Sequence, residues 1–155
     1  MTTGFDRRTE RGSDDPTTVR SVAVTVDDVL TALEASQRAD RPAVLRVTPP
    51  FAGRMRARLH VAGGTEASHE GTRPLHIDPA AFVDPDLPPV PSVDETEDEL
   101  RCRGDYSVER HRTFHAESVE TWREHVRANL VDRLELESEA GSHTVDVNYL
   151  GRQGE

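Results

Sequence analysis

The chain has 155 residues, with nineteen arginines, no lysine and twenty-nine carboxylates, for a net charge of -10. That length allows one domain of ordinary size, and the 33 Leu, Ile, Val and Phe residues predict a small, valine-rich core. The composition excludes a membrane-spanning run. Cys102, the only cysteine, excludes an intrachain disulfide and a cysteine-pair zinc motif.

Residues 1–20 hold few apolar side chains and many Thr, Arg and Asp, which predicts a disordered tail. Arg7-Arg8 is followed by no apolar stretch, so a twin-arginine export signal is not supported. Residues 21–150 are expected to form a single α+β domain. Val22-Ala23-Val24 reads as a short strand. Thr25 then has the character of an N-cap, with Asp27 and Asp28 where carboxylates offset the helix dipole. Val26, Val29, Leu30 and Leu33 recur at helical spacing, so a first helix runs to about Ala39 and Arg41-Pro42 ends it.

From Ala43 the apolar period changes to two. Residues 43–48 and 54–62 predict two antiparallel strands joined through Pro49-Pro50-Phe51-Ala52-Gly53. Gly63-Gly64 opens a polar loop, and residues 74–77 suit a brief third strand. Asp78-Pro79 places a capping side chain before a proline at the first helical position, which predicts one turn over residues 80–83. The prolines of residues 84–91 cannot continue a helix and predict an extended internal linker. Pro85, Pro88 and Pro91 have the spacing of a polyproline ligand, but a linker explains them more simply.

Ser92 with Glu95, or Thr96 with Glu99, supplies a capping box for a short acidic helix ending near Gly104. A long helix follows, with Val119, Trp122, Val126, Leu130 and Leu134 as its apolar stripe. Extended backwards, the same stripe takes in His115, His111 and Val108, so the helix begins near Ser107 or near Ser118. Residues 144–150 alternate as a final strand. The expected architecture is a small antiparallel sheet of three to four strands, packed against an N-terminal helix and a long C-terminal helix.

The sharpest local pattern lies in residues 54–60, where Arg54, Arg56, Arg58 and His60 alternate with Met55, Ala57 and Leu59. One face of such a strand packs inward while the other presents guanidiniums about 7 Å apart. Residues 41–65 contain five arginines and no acid, whereas the rest of the chain holds fourteen arginines and all twenty-nine acids. Two readings compete. The stripe is either paired with the acidic residues 94–103, since a guanidinium fork binds carboxylates well, or it contacts an anionic partner. For the second, Arg54, Arg56 and Arg58 are the contact residues, and Arg46, Phe51 and His60 their neighbours, with Phe51 as a ring for stacking.

His111 and His115, four residues apart on one helix face, have a spacing that suits two metal ligands, with Glu109, Glu124, His125, His60 and His76 as candidate additions. Arg112 stands where the zinc-protease signature requires glutamate, and hydrogen-bonded histidines are the simpler account. There is no phosphate loop, nucleophile elbow or CxxC, and no cofactor is expected. The sequence therefore points to a non-catalytic binding or accessory domain that contacts nucleic acid or an acidic protein surface. The alternatives are a structural accessory protein with its stripe paired internally and a metal-dependent enzyme using His111 and His115.

The single isoleucine, two asparagines and many alanines and valines reflect a GC-rich genome, which accounts for much of the missing lysine. Surplus acid together with few large apolar residues matches cytoplasmic proteins of salt-accumulating halophiles, in which carboxylates maintain hydration. The runs PPFAGRMRARLH at residues 49–60, DETEDELR at residues 94–101 and WRE at residues 122–124 resemble a group of short, uncharacterised haloarchaeal proteins. The resemblance spans residues 22 to 150. It implies a haloarchaeal lineage and a cytoplasmic compartment, and it carries no activity or site residue across.

Overall fold

A computed structural model of the chain describes residues 14–38, 43–61 and 73–151. Residues 1–13 of the expected tail, the Arg41-Pro42 helix stop and the Gly63-Gly64 loop lie outside the described residues. In chain order the elements are β1 (Ser21–Thr25), α1 (Val26–Arg38), β2 (Ala43–Val47), β3 (Arg54–Arg56), β4 (Arg58–Val61) and β5 (Leu75–Ile77). Then come α2 (Val93–Arg103), α3 (Val108–Ala128), β6 (Arg133–Ser138) and β7 (Gly141–Leu150). Short 3-10 turns occupy Pro16–Thr18 and Pro79–Phe82. Among the described residues no helix is long and apolar enough to cross a membrane.

The fold is α+β, with the N-terminal helix and the long C-terminal helix in their expected places. Its strands form two small sheets. One is antiparallel, in the order β4-β2-β5, and the other is mixed, in the order β3-β1-β7-β6 with β1 parallel to both neighbours. The cause lies at Ala57, whose amide donates to the Ala23 carbonyl at 2.8 Å. There the single run expected over residues 54–62 changes partner. Its first part joins β1 and its second joins β2.

The strands' inward faces and the apolar stripe of α1 make the core. Val22 and Val24 of β1, Leu45 and Val47 of β2, Val29 of α1, and Phe51 and Phe82 from the connections are wholly buried. Alternation along each strand explains the selection, since side chains at every second position share a face. Helix α1 begins where the Thr25 hydroxyl accepts the Asp28 amide at 3.1 Å, with Asp27 and Asp28 in the first turn. Helix α2 carries the expected capping box of Ser92 and Glu95 and ends at Gly104, whose φ of 77° is the left-handed conformation that closes a helix.

Three segments depart from the sequence reading. Helix α3 stops at Ala128, where the Asn129 amide bonds to the Val126 carbonyl. Leu130 then bridges to Val83, and Leu134 lies in β6, buried together with Leu136. Leu130 and Leu134 therefore continue the helical stripe in spacing only. The second departure concerns residues 14–20, expected as tail. Asp15 caps the Pro16–Thr18 turn, and hydrogen bonds from the Thr17 side chain and backbone hold its carboxyl below the usual carboxylate range. Val19 is 0% exposed, and the Arg20 and Ser21 amides both donate to the Gly53 carbonyl.

The third is the proline-rich stretch 84–91, which carries no helix, as expected of its prolines, and is packed onto the helices. The Val90 amide donates to Gln37 Oε1 at 2.7 Å, Trp122 Nε1 donates to the Pro88 carbonyl at 2.8 Å, and Val90 is buried. Both bonds satisfy polar groups that apolar packing would otherwise strand.

Candidate anion-binding face

On β2, Ala43, Leu45 and Val47 are buried while Val44 and Arg46 are half-buried, so the latter two face outward. The antiparallel register sets Arg46 between Arg58 of β4 and His76 of β5, and sets Val44 beside His60. The His60 and His76 rings reach each other over this face and stack, with centroids 5.6 Å apart and planes 27° apart. Along β3, Arg54 stands beside Ser21 and Arg56 beside Ala23. Arg54 and Arg56 thus face outward on the mixed sheet and Arg58 on the antiparallel one, at every second position of a single chain segment, and Arg46 lies beside Arg58. None of the outward side chains of β2, β4 and β5 is acidic.

Among the described residues, Arg46, Arg54, Arg56 and Arg58 take part in no ion pair. Two of the five acids of residues 94–103 pair within their own helix. Glu97 binds Arg101 at 2.8 Å and Glu99 binds Arg103, both within α2, and α2 packs along α3. The hydrogen bond that Arg101 donates to the Glu97 carboxylate raises the Arg101 pKa. In contrast, Arg56 Nε is buried and has no hydrogen-bond partner among the described residues. A buried donor in that condition costs free energy until an acceptor reaches it.

Phe51 does not serve as the expected stacking ring, because it is 0% exposed and belongs to the core. It sits in a connecting segment beside a charged stripe, a setting that suggests exposure, yet its ring fills the interior. His76, in sequence only a candidate metal ligand, belongs to this face. Its signal is the alternation of Leu75, His76 and Ile77, which turns the imidazole outward; the pairing that places it next to Arg46 is not local.

Ser107 caps α3, which starts at Val108 and so carries both His111 and His115 against α2. Their rings converge on one buried hydroxyl. Thr96 Oγ1 lies 2.8 Å from His111 Nε2 and 3.0 Å from His115 Nδ1, and 3.1 Å from the Val93 carbonyl. A hydroxyl has one proton and two lone pairs, so Thr96 can serve both imidazoles and a backbone carbonyl at once. His60 and His76 belong to the sheet face, away from this pair. Among the described residues no group of three or more His, Cys, Asp or Glu side chains is placed to hold a metal ion.

A groove of about 420 Å³ runs between the proline-rich stretch and the α2–α3 pair, lined in part by Pro88, Pro91, Glu95, Thr96, Trp122 and His125. Its two acids have other tasks, since Glu95 accepts the Ser92 amide in the capping box and Glu99 pairs with Arg103. Exposed Cys102, between Arg101 and Arg103, has no second thiol near it.

No curated protein and no solved structure matches the chain. A family model does match it, over residues 8–151, and this span includes the arginine row, the histidine pair and every strand described above. The chain therefore belongs to the family described as a domain of unknown function, DUF8009.

Proposed function

We propose that this is a non-catalytic binding domain whose basic sheet face, centred on Arg54, Arg56 and Arg58 with Arg46 and His60 beside them, contacts an anionic partner. One observation carries the reading: four arginines of the consecutive strands β2, β3 and β4 stand outside any ion pair among the described residues, in a chain where acids outnumber arginines. Internal pairing would have placed carboxylates against them. The Thr96 cluster gives His111 and His115 a structural task as a fastening between α2 and α3. The remaining acids among the described residues, most of them exposed, are the surface we assign to a haloarchaeal cytosol.

Fluorescence anisotropy with labelled inorganic polyphosphate tests the reading. The full chain is expected to bind it, and Arg54→Gln/Arg56→Gln/Arg58→Gln to bind at least about 10-fold more weakly at moderate salt. Equal binding by the two proteins, or no binding by either, would remove the sheet face from consideration.

A further inference from the structure

We infer that the anionic partner is a single-stranded nucleic acid, laid along residues 54–58 with a base stacked on the His60–His76 pair. The inference rests on the reading of this face as an anion-binding surface and narrows its occupant. Three features favour a single strand. First, Arg54 and Arg56 of β3 and Arg58 of β4 occupy every second position of one chain segment, where Cα atoms in extended backbone are about 7 Å apart. That step resembles the distance between successive phosphates of an extended strand. A duplex would offer two phosphate rows flanking a groove, which calls for an element projecting between them.

Second, two imidazole rings already stack on the same face, next to Arg46. His76 is exposed, so a base placed on its ring lengthens an existing stack. Stacking also persists where salt has displaced the counterion contribution of phosphate contacts, which suits a protein of a salt-rich cytosol. Third, the face lacks what an acidic protein surface would need. Protein interfaces centre on apolar and aromatic side chains, whereas here the uncharged members nearest the arginines are Val44, Ala23 and Ser21.

The buried Arg56 Nε adds to the argument. It is a fixed donor with no acceptor in the described structure. A phosphate oxygen reaching between Ala23 and the row would satisfy it, and guanidinium–phosphate bonding is the strong, fork-like kind.

The test uses labelled oligothymidylate and oligouridylate of about 12 nucleotides, a matching duplex and labelled polyglutamate, titrated with the full chain over a range of KCl concentrations. We expect the single strands to bind tightest. The triple arginine-to-glutamine variant should lower the salt slope by about 2, since each phosphate that is no longer neutralised removes roughly 0.7. His76→Ala should weaken single-strand binding about 5-fold or more, with recovery in His76→Phe, since a benzene ring stacks without charge. Arg112→Gln, an exposed change on α3, should leave binding unaltered, and circular dichroism confirms that each variant is folded. Arg58→Gln alone, at an exposed position, serves should the triple variant fail to fold. Stripe-dependent binding of polyglutamate or polyphosphate without binding of the single strands would overturn this inference and leave the anion-binding reading in place. Duplex bound as tightly as the single strands, or full affinity in both His76→Ala and the arginine variant, would also overturn it. Binding of none of the probes would overturn both.

Discussion

The arginines of the sheet and those of the helical hairpin α2–α3 are the same side chain in opposite circumstances. On the hairpin, Arg101, Arg103, Arg110, Arg123 and Arg127 each lie within ion-pair distance of a carboxylate. On the sheet, Arg46, Arg54, Arg56 and Arg58 do not, among the described residues. Helical periodicity arranges the first group cheaply, because residues four apart share a face and Glu97–Arg101 and Glu99–Arg103 need no tertiary structure. A strand offers no such pairing along its own length, and the outward positions of the neighbouring strands are Val44, His76, Ser21 and Ala23. Most of the positive charge on the hairpin is therefore absorbed by the fold, Arg112 excepted, whereas on the sheets Arg133 pairs with Asp146 and the arginines of β2, β3 and β4 have no ion pair among the described residues.

The two regions also differ in what holds them. The sheet face rests on a packed apolar layer, with Leu45 wholly buried beneath the Arg46–Arg58 pair. Helix α2 buries only Thr96 and Leu100, and Leu100 stands apart from the main core cluster. The largest effect should come from Leu45→Ala, which removes core volume under the basic face and is expected to cost about 2–5 kcal/mol in urea denaturation. It should also weaken polyanion binding, since the arginine row loses its support. Thr96→Val keeps shape but deletes the hydroxyl that both imidazoles reach, at an expected cost of about 1–3 kcal/mol. Hydrogen exchange separates the two: Thr96→Val should speed exchange in α2 while the amides of β2 stay protected. Uniform acceleration over both regions would show that α2 and the sheet unfold as one unit.

Local pattern explains which parts of this contrast are legible in the sequence. The Ser92 capping box, the Asp78-Pro79 turn, the α1 stripe and the outward arginines are each set by residues within a few positions of one another. They appear in the structure where the pattern puts them. Parallel pairing of β1 with β3 and β7 joins segments far apart in the chain, and no local period encodes it. The division at Ala57 follows from that pairing, so it is hidden as well. At β6 the signal is present but ambiguous: Leu130 and Leu134 fit a helix at i and i+4, while Leu134 and Leu136 fit a strand. Within the candidate site, the row is written in the alternation itself, whereas the placement of His76 beside Arg46 and the burial of Phe51 require the tertiary fold.

The smallest local effects on stability should come from the sheet arginines themselves, and salt distinguishes them from the hairpin arginines. Arg123→Gln removes a bidentate pairing with Glu34, whose bonds are 2.8 and 3.2 Å long. The Glu34 side chain is only 14% exposed, so part of the expected cost of about 1 kcal/mol should survive in concentrated KCl. The triple glutamine variant of the sheet breaks no ion pair and should lie within about 0.5 kcal/mol of the wild type at about 2 M KCl. At about 0.1 M KCl it should be less stable, because three cations are removed from a chain already at -10 and carboxylate repulsion rises. The wild-type melting temperature should itself increase between those two salt concentrations for the same reason. A triple variant as costly in concentrated salt as Arg123→Gln would mean that the sheet arginines are structural, and the contrast between the two regions would fail.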